Sequence, residues 1–227
     1  MLTLLSLPED IFRYIQEFTN INDVMNTCTR FCHEKYRLFY WRLNKDDSQQ
    51  YNTSDAFRRR LLNLLCKPRK QLSLNLIRLS IADVSNLGGV HLLDLSCCDT
   101  IRDVSALGGV HTLNLRDCFN ITDASALGGV HTLNLSQCDN ITDVSALGGV
   151  HTLNLSYCDN ITDVSALGDV HTLDLRNCDN ITDVSALRGL HTLDLSRCAN
   201  ITDVSALGGV HTLDLSKCDN ITDVSAL

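Results

Sequence analysis

HTLNLSYCDNITDVSALGDV, residues 151–170, decides how the rest of the chain is read. The same twenty-residue unit recurs almost letter for letter, usually ending GGV where this copy has GDV. His recurs every twenty residues from His91 to His211, Cys from Cys98 to Cys218, and Asp from Asp83 to Asp223. Self-similarity at a fixed period of this length predicts a solenoid. Within the unit, Leu113 and Leu115 alternate with Thr112 and Asn114, which predicts a short strand with Leu inward. Ile121, Ala124 (Val in other copies) and Leu127 are expected to complete the core. Each Asp of the ITD triplet, such as Asp143, is placed to accept backbone N–H groups two or three residues on and to cap a tight 3₁₀-like turn, VSAL. The Gly pair that follows is read as the point where the chain turns back; Asp169 and Arg188 each replace one of these glycines.

Val110-x-x-Leu113-x-Leu115-x-x-Cys118-x-x-Ile121 resembles the leucine-rich repeat, with Val at its first place. The pattern recurs seven times from Val90 onward. A degenerate copy precedes them, Leu74-x-Leu76-x-x-Leu79-x-Ile81, one residue shorter and with Leu at the Cys place. The expected fold class is therefore α+β: a right-handed leucine-rich solenoid over 71–227 with one parallel sheet on its concave face. Twenty residues leave no room for a full convex helix, so a weakly curved slab is expected.

Two segments precede the repeats. In residues 1–43, Leu7-Pro8-Glu9-Asp10 opens a helix, since Pro suits the first turn and the acids suit the positive end of the dipole. Ile11, Ile15 and Phe18 recur at helical spacing; Asn22 and Asp23 cap a second helix, and a third is expected over Glu34–Leu43. This stretch resembles an F-box, matched at Leu7, Pro8, Glu9, Ile11, Ile15, Phe18, Asp23 and Val24, with Phe18, Met25 and Thr27 departing from the usual residues. The resemblance implies docking to a Skp-type adaptor of a cullin ubiquitin ligase through Leu7, Pro8, Ile11, Ile15, Phe18 and Val24. The alternative is a set of helices that only caps the solenoid. Residues 44–70 are expected to hold a polar loop and then a helix capped by Ser54-Asp55 that covers the first repeat. Its basic residues, Arg58 to Arg60, Lys67, Arg69 and Lys70, read as a solvated helix face.

Composition narrows the function. The net charge of −8 divides into +4 over residues 1–70 and −12 over residues 71–227. An acidic solenoid is the wrong surface for nucleic acid, which requires clustered positive charge. No run of about 18 apolar residues predicts a membrane span, and MLTLLSLPED lacks the basic start of a signal peptide. The eleven cysteines are odd in number. A column of thiols with parallel Cα–Cβ vectors, spaced by about 4.8 Å, is a stack of small buried hydrophobes rather than disulfides. That favours a reducing compartment, the cytoplasm or the nucleus.

The His, Cys and Asp columns invite a metal or catalytic reading, and spacing argues against it. Equivalent side chains stand side by side, whereas zinc needs ligands converging to about 2.0 Å. No nucleophile–base pair or phosphate loop occurs, so neither an enzyme nor a cofactor is expected. Function is sought instead in the residues that break the repetition. The place before Cys reads Cys97, Asp117, Gln137, Tyr157, Asn177, Arg197 and Lys217. Together with Arg116, Arg176 and Phe119 these are the candidate substrate-binding residues, several of the types that anchor interfaces. The partner expected on the concave face is a protein substrate. The chain stops inside a repeat, and its last turn, with Leu213, Leu215, Ile221 and Val224, is expected to pair with a second copy.

Overall fold

The computed structural model of the chain describes residues 41–42, 45–57 and 72–227. The F-box-like positions Leu7, Pro8, Ile11, Ile15, Phe18 and Val24, and the basic cluster at 58–60 and 67–70, lie outside the described residues.

Among the described residues nine parallel strands pair in sequence order. β1 (Trp41–Arg42) and β2 (Leu72–Asn75) precede seven equivalent strands: β3 (Leu92–Asp94), β4 (Thr112–Asn114), β5 (Thr132–Asn134), β6 (Thr152–Asn154), β7 (Thr172–Asp174), β8 (Thr192–Asp194) and β9 (Thr212–Asp214). Register advances by twenty, Leu113 facing Leu133 and Leu133 facing Leu153. The leucine-rich solenoid inferred from the repeat is therefore present, and the degenerate copy is its first full turn.

Each turn closes by the same device. Taking one turn, Cys118 N donates to Leu115 O, Ile121 N to Cys118 O, Leu127 N to Ala124 O and Val130 N to Leu127 O, all at 2.9–3.2 Å. These i→i−3 bonds advance the chain in steps of three. From Leu115 onward every third residue then falls inward, as Cys118, Ile121, Ala124 and Leu127; these, with Val110, Leu113 and Leu115, are all at most 1% exposed. Burial at 25 cal/mol per Å² is on the order of 2 kcal/mol for each large side chain, and it is realised only when a neighbouring turn covers the other side.

The thiol column fills this core and also joins the turns. Cys118 Sγ donates to Leu95 O at 3.2 Å, Cys138 Sγ to Leu115 O at 3.2 Å and Cys198 Sγ to Leu175 O at 3.0 Å. Burial pushes the Cys118, Cys158 and Cys198 thiols up to about 12, so they are inert protonated donors. All eight cysteines among the described residues are free. An amide ladder runs beside them: Asn140 Nδ2 donates to Phe119 O at 2.6 Å and Asn160 Nδ2 to Asp139 O at 2.7 Å.

Two local expectations are corrected. The polar stretch read as a loop holds α1 (Lys45–Thr53). Its single ring, Tyr51, is fully buried in the solenoid core, and Asn52 Nδ2 donates to Asp83 O at 3.2 Å; one anchoring residue leaves no apolar period to read. Trp41–Arg42, expected at the end of a third helix, pairs as a strand with Leu72–Ser73. The Gly pair makes its turn without left-handed backbone, since Gly89 alone among the described glycines has positive φ, at 81°. The first Gly of each pair is needed for close approach: a Cβ on Gly148 would sit 2.3 Å from Ala166 O. Ser54, by contrast, caps the residues after it as expected, accepting Phe57 N–H at 3.3 Å.

Gly148→Ala should therefore cost about 1–3 kcal/mol through forced separation of two turns. Gly109→Ala, whose Cβ would meet nothing nearer than 3.6 Å, should be close to neutral. Urea denaturation of the two variants measures the difference.

Candidate interaction edge

The variable column has an unexpected backbone. Arg78, Cys97, Asp117, Gln137, Tyr157, Asn177, Arg197 and Lys217 all adopt positive φ, between 54° and 65°. This is the corner where the chain leaves the sheet. Three residues before the corner the Asx side chain has turned the backbone: Asn154 Oδ1 accepts Ser156 N–H at 2.9 Å, and Asn114 Oδ1 accepts Arg116 N–H at 3.1 Å. The left-handed residue then donates its own N–H to the next turn, Tyr157 N to Arg176 O at 2.8 Å. For a residue with a Cβ this conformation costs about 1–2 kcal/mol, and Gly avoids that cost. Eight of eight corners nevertheless carry a side chain.

Those side chains line one edge of the sheet. Tyr157 is 50% exposed and Phe119 is 44% exposed, whereas the other described Phe and Tyr side chains, Tyr51 and Phe57, are buried. Arg116 spans one turn, its Nη2 donating to Gln137 Oε1 at 2.7 Å and its Nε lying 3.2 Å from Asp117. Arg176 is held by Asp174 through Nη2 at 2.7 Å and lies 3.3 Å from Asp194; the Asp174 hydrogen bond and charge raise its pKa. Asn177 is half-buried, while Arg197 and Lys217 are exposed. The candidate residues thus share one edge, with Arg116 and Arg176 fixed by neighbours and Tyr157, Phe119, Arg197 and Lys217 open to solvent. Column position was legible in the sequence; the left-handed corner was not, because seven unlike residues carry no common turn preference. The Asn ladder went unread although Asn120 to Asn220 stand at constant phase.

The Asp column has its own task. Asp143 Oδ1 accepts Ser145 N–H at 2.8 Å, and the same contact recurs at Asp103, Asp123, Asp163, Asp183, Asp203 and Asp223. The Ser145 hydroxyl and N–H hold the Asp143 carboxyl below its ordinary range. The 3₁₀ turns follow directly, such as Ser145–Gly149. The His column forms a stack with ring centroids 4.5–4.6 Å apart. Among the described residues no group of three or more His, Cys, Asp or Glu side chains is placed to hold a metal ion. Nor is any helix there long and apolar enough to cross a membrane. A polar cleft of about 610 Å³ lies between α1 and the first turn, lined by Gln49, Asn52, Asp55, Asp83 and Asn86 among others.

Comparison with known proteins agrees with this architecture. A family model described as Leucine Rich repeat matches residues 150–167. Among solved structures, an internalin C2 from Listeria monocytogenes is similar over 67% of this chain and 73% of its own, at 23% identity and a TM-score of 0.51. An internalin inlF from the same organism is 22% identical, covering 63% of this chain and 58% of its own, with a TM-score of 0.41. The functional domain of InlJ from Listeria monocytogenes, described as including a cysteine ladder, is 19% identical over 72% and 47% of the two chains, with a TM-score of 0.34. No curated protein sequence matches the chain. At 23% identity the likeness to the internalin C2 is one of fold.

Two outcomes follow. Tyr157→Gly should leave stability unchanged or raise it by about 1 kcal/mol, because it removes left-handed strain, whereas Leu155→Ala should cost about 2–5 kcal/mol. Chemical denaturation of both variants tests whether the fold needs the edge side chains. For the Asp column, the unfolded pKa is about 3.9 and the folded one is lower. Its contribution is fully present above about pH 4 and is lost as pH falls through the folded values. Urea midpoints between pH 5 and 3 should drop less in Asp143→Asn than in the parent.

Proposed function

We propose that the chain is a non-enzymatic binding protein whose repeats hold a protein partner along the edge carrying Tyr157. The retention of a side chain at every left-handed corner carries this reading. A position that the fold would fill more cheaply with Gly, yet never does, is a position whose side chains serve something outside the fold. Tyr and Arg are the residues that dominate interface energetics. Arg116 and Arg176 are already pinned by Gln137 and Asp174, so they lose little rotamer entropy on binding.

The specific form of this reading is a substrate-recognition subunit of a Skp–cullin–F-box ubiquitin ligase. Its support is the F-box resemblance of residues 1–43, with Leu7, Pro8, Ile11, Ile15, Phe18 and Val24 gripping the adaptor. The repeats would present the substrate, and the associated machinery would carry the chemistry. The second reading is a scaffold whose N-terminal helices only close the solenoid; the burial of Tyr51 and Phe57, in the segment between those helices and the repeats, is compatible with both.

Co-purification with a Skp-type adaptor separates the two. The ligase reading expects the full chain to recover the adaptor and a folded Leu7→Ala/Pro8→Ala/Ile11→Ala variant to lose it. Recovery that is equally poor for both leaves the scaffold. In either case Tyr157→Ala should weaken partner capture by about tenfold or more, as expected for loss of an interface anchor of about 2 kcal/mol, without lowering the urea midpoint.

A further inference from the structure

We propose that the column of histidines from His91 to His211 is an acid-sensitive element, which weakens the solenoid as pH falls below about 7 into the range where imidazole takes up a proton. The seven rings stack with centroids 4.5–4.6 Å apart along the whole column. From His111 to His211 they are exposed. The backbone imposes their spacing: His131 N–H donates to His111 O, His151 to His131, His171 to His151 and His191 to His171, each at 3.1 Å. In six rungs Nδ1 also lies 3.2 Å from the hydroxyl of the following Thr, which fixes the ring. With Nδ1–H donating to that hydroxyl, an added proton goes to Nε2. Two adjacent charged rings are then like charges 4.6 Å apart, well inside the screening length of about 8 Å at physiological salt.

Stacking and loss of solvent oppose the charge together. Loss of solvent, and then the charge of the adjacent rings, lowers the pKa of His91, His131 and His171. In the unfolded chain an imidazole titrates near about 6.5. A folded value below that means the unfolded state takes up protons first. The column's contribution to stability is therefore fully present above about pH 7, and is lost as pH falls through about 6.5 towards the folded values. Few other charges are at hand to offset the repulsion. In the corners before His171 and His191 stand Asp169 and Arg188, opposite in sign. On the strands that follow the rungs, Asp174 and Asp194 already face Arg176, while Asp94 and Asp214 accept the N–H of Ser96 and Ser216. The first, third, fifth and seventh rungs can each be charged without a charged neighbour. Every further proton has to enter between two charges. The folded column thus charges at alternate rungs first, whereas the unfolded chain charges at all of them.

Two triple variants of the full chain, with the same number of histidines, separate spacing from composition. His171→Ala/His191→Ala/His211→Ala keeps His91 to His151 as adjacent rungs, three of the six stacked pairs. His111→Ala/His151→Ala/His191→Ala leaves every remaining rung without a neighbour. The replaced rings are exposed, so circular dichroism at pH 7.5 should show both variants folded. At low salt the parent's urea midpoint should fall by about 1 M between pH 7.5 and 5.5, and by less in about 1 M NaCl. The first variant should keep about half of that fall, and the second should lose most of it. Proton NMR of the imidazole rings across the same pH range gives a second reading. The parent should show two groups of titrating rings, one displaced to lower pH, and the second variant should show one. An equal fall in the two variants, or a single group of rings in the parent, overturns the proposal.

Discussion

The structure rests on one requirement: every turn must satisfy its backbone polar groups in twenty residues without a helix of any length. It does so with four i→i−3 hydrogen bonds at the corners and with strand bonds to the adjoining turns. Three-residue steps follow, and they put an apolar side chain inward at every step. The same economy explains the polar side chains that recur. Where a backbone group cannot reach its counterpart, a short side chain reaches for it: Asp143 at the 3₁₀ turn, Asn154 at the strand exit, Asn160 and the Cys158 thiol across to the preceding turn. Buried groups left unpaired would each cost about 1–3 kcal/mol, so these columns are as necessary to the fold as the leucines.

Much of this was legible because repetition reveals phase. Strand position, inward Leu, Asp at the turn and unpaired thiols all follow from one copy of the unit once its period is known. What escaped the sequence was information held by geometry rather than by residue type. The left-handed corner is occupied by Cys97, Asp117, Gln137, Tyr157, Asn177, Arg197 and Lys217, and no propensity unites them. The Gly pair was legible as the point where the chain turns back, but not the close approach it allows, where a Cβ on its first Gly would lie 2.2–2.3 Å from a next-turn carbonyl. α1 was missed because Tyr51 alone anchors it. Each failure comes from a contact with another turn, which a reading of one unit cannot contain.

The candidate edge is distinguished by the contrast between what the scaffold needs and what it carries. Inward positions are near-invariant between turns because each is packed by copies of itself above and below. The corner residue meets no such demand on its side chain, while its backbone is fully committed through its N–H to the next turn. A rigid main chain with a free choice of side chain is a favourable platform for recognition, since the partner meets a preorganised surface. Tyr157 stands on that platform, and Phe119 lies two residues past the corner two turns before it.

The near-identity of the turns also bears on how the chain finds its register. Each turn touches only its neighbours, so folding can begin at any of them and spread in both directions. When the neighbours are copies, a turn that docks one place too far along buries almost the same leucines and thiols as the correct one. Few contacts then penalise the skipped turn beyond the loop it extrudes. Differences such as Ala124 for Val, Leu190 for Val, and Arg188 or Asp169 for Gly are the local marks by which correct order can be told from slipped order. The lateral bonds from Arg116 to Gln137 and from Arg176 to Asp194 form only between particular adjacent turns. The residues that break the repeat therefore serve as an alignment code as well as a surface.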